Sequence, residues 1–184
     1  MLFRSQHVLF AGSIAVMLLW MADGSVLPGP SSHLLGMTAL TLLVGWRQAM
    51  VGSLFPVAGA VVAGIEPWQT AGLAGVMLAA VPIAVTHWVW RLVERFLPYS
   101  LFGYLAISTV LASIIAAALG RLAVLGLIVL TGVYSVAVIS HYHLPLLPLA
   151  LLQEGLVNIG VVAAVAALRP KWLSTLPRRR YLSR

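Results

Sequence analysis

The stretch that decides the fold is SHLLGMTALTLLVGWR, residues 32–47, an apolar run that ends at Gly45, Trp46 and Arg47. It belongs to a longer apolar segment, Leu34–Gly64, which exceeds the roughly 20 residues that a helix needs to cross a bilayer. Because Gly45-Trp46-Arg47-Gln48 interrupts this segment, we predict that it folds back as two helices, the first of them short. Lipid offers no hydrogen bonds to the ends of a half-length helix, so we expect that helix to lie against protein or a water-filled cavity.

The whole chain has the composition of a membrane protein. Hydrophobic residues make up 61% of the 184 and charged residues 8%, and the mean hydropathy is +1.04. A small soluble domain would expose many more charged side chains, so the composition excludes a water-soluble enzyme. Six apolar stretches are separated by Pro, Gly or charge: Val8–Met21, Leu34–Gly64, Ala71–Trp90, Leu101–Leu119, Leu122–Ile139 and Leu144–Leu168.

These stretches predict an all-α, polytopic bundle of about six (five to seven) transmembrane helices within the bilayer. Residues 1–168 form one transmembrane domain in this interpretation, and residues 169–184 form a short basic tail. Small residues spaced four apart, as in Ala112/Ala116/Gly120 and Gly160/Ala164, let helices approach closely. We expect them to serve packing within the chain rather than docking of a partner.

Basic residues set the predicted orientation. Positive residues concentrate on the cytoplasmic side of membrane proteins, so we place the tail in the cytoplasm. A second indication conflicts with this one. If Leu101–Leu119, Leu122–Ile139 and the last stretch each cross the membrane, Arg91 and Arg95 lie on the side opposite the tail. We base the prediction on the tail because its positive charges are more densely spaced. No aromatic residues interleave the basic ones as base stacking requires, so nucleic acid is not an expected partner. The residues assigned to the membrane surface are Arg169, Lys171, Arg178, Arg179, Arg180, Trp88 and Trp90.

Two positions stand out as candidates for chemistry inside the membrane. His33 opens the short apolar helix, and Glu154 lies deep in the last apolar stretch, one helical turn before Asn158 on the same face. Ionisable groups at membrane depth are costly and usually functional. For each of them a structural alternative stays open: His33 as a polar helix cap at the interface, and Glu154 as a carboxylate that pairs with an Arg at a helix end.

His141 completes the set of candidate metal ligands, which is His33, Glu154, Asn158 and His141. It lies in His141-Tyr142-His143 between two apolar segments, where a surface loop is the simpler interpretation. The chain has no cysteine, so a thiolate site is impossible, whereas imidazole and carboxylate suit nickel, cobalt, zinc or copper(II). No motif of a hydrolase, a nucleotidase or an ATPase is present, and we predict that the protein is not an enzyme.

Four stretches together resemble the CbiM-like membrane proteins, relatives of the substrate-capture permease of cobalt and nickel energy-coupling-factor transporters. The His-Leu-Leu-Gly run and the closing Glu, Asn and Arg-Pro-x-Trp pattern are the specific parts. The matching text is Gln6 to Phe10, Ser32 to Arg47, Arg91 to Pro98, and Leu144 through Glu154 and Asn158 to Trp172.

This resemblance implies a multi-pass protein of the bacterial inner (plasma) membrane that captures a divalent transition-metal ion. It also implies a separate transmembrane coupling subunit and ATPases as partners, and His33 as the counterpart of a metal-binding histidine. The family's other histidine, directly after the initiator Met, has no counterpart in Met1-Leu2-Phe3. An accessory membrane subunit that keeps the fold without the metal site is therefore the alternative.

Overall fold

Helices form the regular structure of the protein, which we describe from a computed structural model for residues 2–21, 35–98 and 100–176. Among these residues there is no β-strand. Short helical turns, Val136–Val138 and Ile139–His143, connect the last two long helices, and a 3₁₀ turn, Pro170–Trp172, follows the last. The helices are α1 (Leu2–Met21), α2 (Met37–Val44), α3 (Trp46–Gly52), α4 (Leu54–Val62), α5 (Ala71–Phe96), α6 (Leu101–Leu130) and α7 (Leu147–Leu168).

Three of these helices are long and apolar enough to cross a membrane. Helices α5, α6 and α7 contain 26, 30 and 22 residues, and at 1.5 Å per residue each exceeds the bilayer core of about 30 Å. Helix α1 adds a shorter apolar helix over Gln6–Met21. The predicted all-α, polytopic membrane architecture is confirmed.

The predicted break of the second apolar segment after a short first helix is confirmed, but the remainder of the segment forms two helices, α3 and α4, and not one. Helix α2 has only eight residues, and all of them are buried. It ends at Gly45, whose φ of 88° and ψ of 156° suit glycine and are strained for any residue with a Cβ. Leu40 packs against both Gly12 and Gly52, so the short helix lies between α1 and α3.

The predicted interruption between Leu101–Leu119 and Leu122–Ile139 is wrong, because α6 runs unbroken through Gly120 and Arg121. Gly120 serves packing: a methyl group added there would lie 2.5 Å from the backbone oxygen of Met77 in α5. Ala112 and Ala116 on the same face are buried, which confirms close packing within the chain at this motif. Gly160 and Ala164 are exposed on α7 instead, so the prediction of packing within the chain fails for that pair.

The continuous α6 also removes the conflict over orientation. Helix α5 runs towards one end of the bundle, α6 returns and α7 runs to that end again, where the indole N–H of Trp90 donates to the carbonyl of Thr175 at 3.1 Å. Arg91 and Arg95 therefore lie at the same end as Arg169 and Lys171, which we call the basic end. Arg178, Arg179 and Arg180 lie outside the described residues.

Gly120→Ala and Gly126→Ala form a matched pair on one helix. We expect Gly120→Ala to reduce the free energy of unfolding by about 1–3 kcal/mol, because the new methyl group forces α5 and α6 apart. Gly126 has no atom within 4 Å of an added Cβ, and Ala favours helix, so Gly126→Ala should be neutral or slightly stabilising. Thermal unfolding in detergent measures both, and equal effects would contradict the close approach of α5 and α6.

The absence of native cysteine allows a clean test of the topology with single-cysteine variants. We expect Arg95→Cys and Lys171→Cys to react with an impermeant maleimide from the same side of sealed vesicles. Val136→Cys, in the exposed connection between α6 and α7, should react from the other side. Labelling of Arg95→Cys and Lys171→Cys from opposite sides would contradict the common basic end.

Candidate functional site

The carboxylate of Glu154 in α7 meets the beginning of the short helix α2. Its Oε2 accepts the backbone N–H of Leu35 at 2.8 Å, and its Oε1 accepts the backbone N–H of Gly36 at 2.8 Å. The first N–H groups of a helix have no partner within that helix, and the helix dipole gives them partial positive charge. Glu154 therefore supplies both the acceptors and the negative charge that the buried helix start requires.

Asn158 continues this arrangement one turn further along α7. Its Oδ1 accepts the backbone N–H of Ala39 at 2.7 Å, and its Nδ2 donates to Oε1 of Glu154 at 2.8 Å and to the backbone oxygen of Glu154 at 2.7 Å. The spacing of four residues that placed the two side chains on one helix face is confirmed by these contacts. Together they hold Leu35 and Gly36, the two residues that precede α2, and Ala39 in its first turn.

Burial makes this network decisive for stability. Glu154 is 2% exposed and Asn158 is fully buried, so water cannot replace any lost partner. Arg121 of α6 is half-buried and attracts the carboxylate of Glu154 electrostatically. The structural alternative for Glu154 named an Arg at a helix end. The donors that the structure shows to this carboxylate are instead the backbone N–H groups of Leu35 and Gly36 and the amide of Asn158, and Arg121 lies in the interior of α6.

The other end of α2 is held by the segment that follows α7. The hydroxyl of Thr175 donates to the carbonyl of Leu42 at 2.7 Å, and the backbone N–H of Ser174 donates to the carbonyl of Leu43 at 2.9 Å. The phenol of Tyr104 lies 2.7 Å from the same Thr175 hydroxyl. The last described residues of the chain thus close the C-terminal end of the half-length helix.

The candidate ligands from the sequence have different surroundings. Glu154 and Asn158 lie together, whereas His141 is exposed and its ring packs edge-on against Tyr142 at 4.8 Å. His33 lies outside the described residues, two positions before Leu35. In the described part of the chain, no three His, Cys, Asp or Glu side chains form a group that could hold a metal ion.

Arg121 and Thr175 are not among the residues predicted from the sequence to have a role inside the membrane. Arg121 follows Gly120 between two apolar runs, a pattern that also marks a connection between helices, and only its place inside a 30-residue helix identifies it as an intramembrane charge. Thr175 lies in the basic segment, where its neighbours indicated membrane-surface residues. Its role depends on a contact 133 positions away along the chain, which no local pattern reveals.

Replacement of Glu154 tests its part in holding α2. Glu154→Ala leaves the N–H groups of Leu35 and Gly36 and the amide of Asn158 without this acceptor, at roughly 1–3 kcal/mol for each buried donor. Glu154→Gln keeps one oxygen, so its loss of unfolding free energy should fall between that of the Ala variant and wild type. Denaturant unfolding in micelles measures the loss.

The control is Gln153→Ala, one position earlier and exposed on α7. We expect its free energy of unfolding to stay within about 0.5 kcal/mol of wild type. If Glu154→Ala were as stable as this control, the carboxylate would not hold the start of α2.

Comparison with known families gives one match. The sequence matches the CbiM family, described as the cobalt uptake substrate-specific transmembrane region, over residues 4–172. No curated protein and no solved structure gives a significant match. Because the match spans most of its length, the chain belongs to this family, and the resemblance read from its motifs is confirmed.

Proposed function

We propose that this member of the CbiM family is the substrate-capture subunit of a transporter that takes up a divalent transition-metal ion such as cobalt or nickel. The family assigns a membrane component of cobalt uptake. The finer proposal is that this chain binds the ion inside the membrane and works with a separate transmembrane coupling subunit and ATPases, in the manner of energy-coupling-factor transporters.

One observation carries this proposal: the anchoring of the segment that follows His33. Glu154 accepts the N–H groups of Leu35 and Gly36, and two peptide units, which extend at most about 7 Å, separate Leu35 from His33. A metal-binding side chain needs a fixed position, because the residues behind it set its orientation and affinity. Glu154 and Asn158 would then be positioning residues that fix α2 and the chain entering it.

Glu154 also keeps some capacity as a ligand. A carboxylate has about four acceptor sites, and three are used by Leu35, Gly36 and Asn158. Among the contacts within the described residues, this leaves one site on Oε2 for an ion, beside the attraction of Arg121 for the same carboxylate. Because most acceptor sites of Glu154 are occupied, we rank His33 before Glu154 as a metal ligand. His141 and Asn158 rank after these two.

The accessory-subunit alternative is favoured by a different observation. In the described residues, the oxygen of Asn158 and both oxygens of Glu154 already accept hydrogen bonds that hold α2, as a purely structural network would. In that case the chain keeps the CbiM fold to pack in another membrane complex without carrying an ion.

The proposed location is the bacterial inner membrane with the basic end in the cytoplasm. Arg91, Arg95, Arg169 and Lys171 are exposed at that end, and such an excess of positive charge marks the cytoplasmic face. Residues 1–168 would form the membrane domain, and residues 177–184, with Arg178, Arg179 and Arg180, would extend the basic charge. Lipid and further membrane subunits are the proposed partners.

Metal content and calorimetric titration of the purified protein test the capture proposal. We expect wild type to bind Co²⁺ or Ni²⁺ and His33→Ala to bind at least tenfold more weakly, since an imidazole ligand is lost. Binding should weaken as the pH falls through about 6.5, because only neutral imidazole coordinates a metal.

The matched control is His7→Ala, which removes an exposed histidine of α1 and should leave the affinity unchanged. Negligible metal in both wild type and His33→Ala would contradict capture and leave the accessory role. Copurification in mild detergent then identifies which membrane subunits accompany the chain.

A further inference from the structure

A cavity of about 260 Å³ opens at the basic end of the bundle, next to the last turn of α2. Three parts of the chain line it: the end of α2 with its turn into α3, the second half of α5 and the segment after α7. Its lining side chains include Trp46, His87, Trp90, Arg91 and Ser174. None of the described residues that line it is acidic.

The wall of this cavity offers hydrogen-bond donors and positive charge. Arg91 brings a guanidinium group with five N–H donors, Ser174 brings a hydroxyl, and Trp46 brings an indole N–H. Arg47 adds a positive charge next to this wall, with its guanidinium carbon 5.4 Å from the centre of the Trp46 ring. A group with several negatively charged oxygens matches this set of donors.

The carbonyl groups at the end of α2 do not oppose an anion there. The partial negative charge of a helix C-terminus would normally repel one. Here the carbonyls of Leu42 and Leu43 already accept hydrogen bonds from Thr175 and Ser174. Thr175 and Ser174 thus cap the end of α2, and Arg91 gives the adjacent cavity wall a positive charge.

The aromatic side chains place the cavity at the depth of lipid head groups. The ring of His87 lies between those of Trp46 and Trp90, at 5.5 Å and 5.8 Å between centres and tilted by 39° and 36°. Trp88 on the same helix is 68% exposed. Tryptophan concentrates at the membrane interface, and basic pockets between helices on the cytoplasmic side bind anionic head groups.

We propose that this cavity binds the phosphate group of an anionic phospholipid, with Arg91 and Ser174 as its donors and Trp46 and Trp90 against the glycerol backbone. Its volume equals that of about nine waters at 30 Å³ each, which is enough for a phosphate and part of its head group. A bound lipid would link the α2–α3 turn, α5 and the segment after α7. None of its lining residues is a candidate metal ligand, so lipid binding there does not depend on metal capture.

Lipid titration of delipidated protein in mild detergent tests the proposal, with phosphatidylglycerol as the anionic probe and phosphatidylcholine as the neutral one. Native mass spectrometry counts bound lipid, and calorimetry gives the affinity. We expect tighter binding of phosphatidylglycerol, and Arg91→Ala should weaken it about tenfold, the effect of losing a charged hydrogen bond. Arg95→Ala removes the same charge one turn later on α5, outside the cavity, and should change the affinity less than twofold.

Two further measurements keep the result decisive. Ser174→Ala, at an exposed position, should also weaken binding and serves where Arg91→Ala does not fold. Equal losses in Arg91→Ala and Arg95→Ala, or equal binding of both lipids, would overturn the proposal in favour of diffuse surface charge. Inorganic phosphate that binds as tightly as phosphatidylglycerol and displaces it would assign the cavity to a free anion instead of a lipid.

Discussion

The protein depends on one constraint: a helix of eight residues lies inside a membrane protein, and both of its ends need hydrogen bonds that lipid cannot supply. A full-length spanning helix brings its unsatisfied end groups to the aqueous interfaces. Helix α2 cannot do so, because all of its residues are buried. Polar side chains from elsewhere in the chain must reach both ends, and this requirement explains why Glu154 and Thr175 are buried.

Both sets of hydrogen bonds come from the end of the chain. Helix α7 brings Glu154 and Asn158 to the start of α2, and the segment after α7 brings Ser174 and Thr175 to its end. Because α2 and α7 run in the same direction, one long helix can hold one end of the short helix while the chain that follows it holds the other. The Glu154–Asn158 network and the proposed lipid cavity lie at opposite ends of α2 and are connected through it.

Much of this architecture could be predicted from the sequence, and the failures have physical causes. The composition indicates lipid as the solvent, Gly45 marks the reversal after α2, and the spacing of Glu154 and Asn158 places them on one face. Arg121 was misleading because a charge beside a glycine resembles a helix boundary. In lipid, such a charge can remain within a helix if a counter-charge lies near it. Here the counter-charge is Glu154, which a local pattern cannot reveal because it is distant in sequence. The partners of Glu154 were equally hidden, since backbone N–H groups carry no sequence signal.

The distance along the chain between α2 and the groups that cap it has a consequence for biosynthesis. Leu35 and Glu154 are separated by 119 positions, so at 5–20 residues per second a ribosome takes about 6–24 s to reach the residue that caps a segment it has already released. During that interval the uncapped helix start has no protein acceptor from α7, and bilayer lipid offers none. The insertion machinery or the aqueous interface must shelter this segment until α7 arrives. The start of α2 therefore acquires these acceptors only when α7 is in place, and a chain that terminates before α7 leaves the N–H groups of Leu35, Gly36 and Ala39 without them.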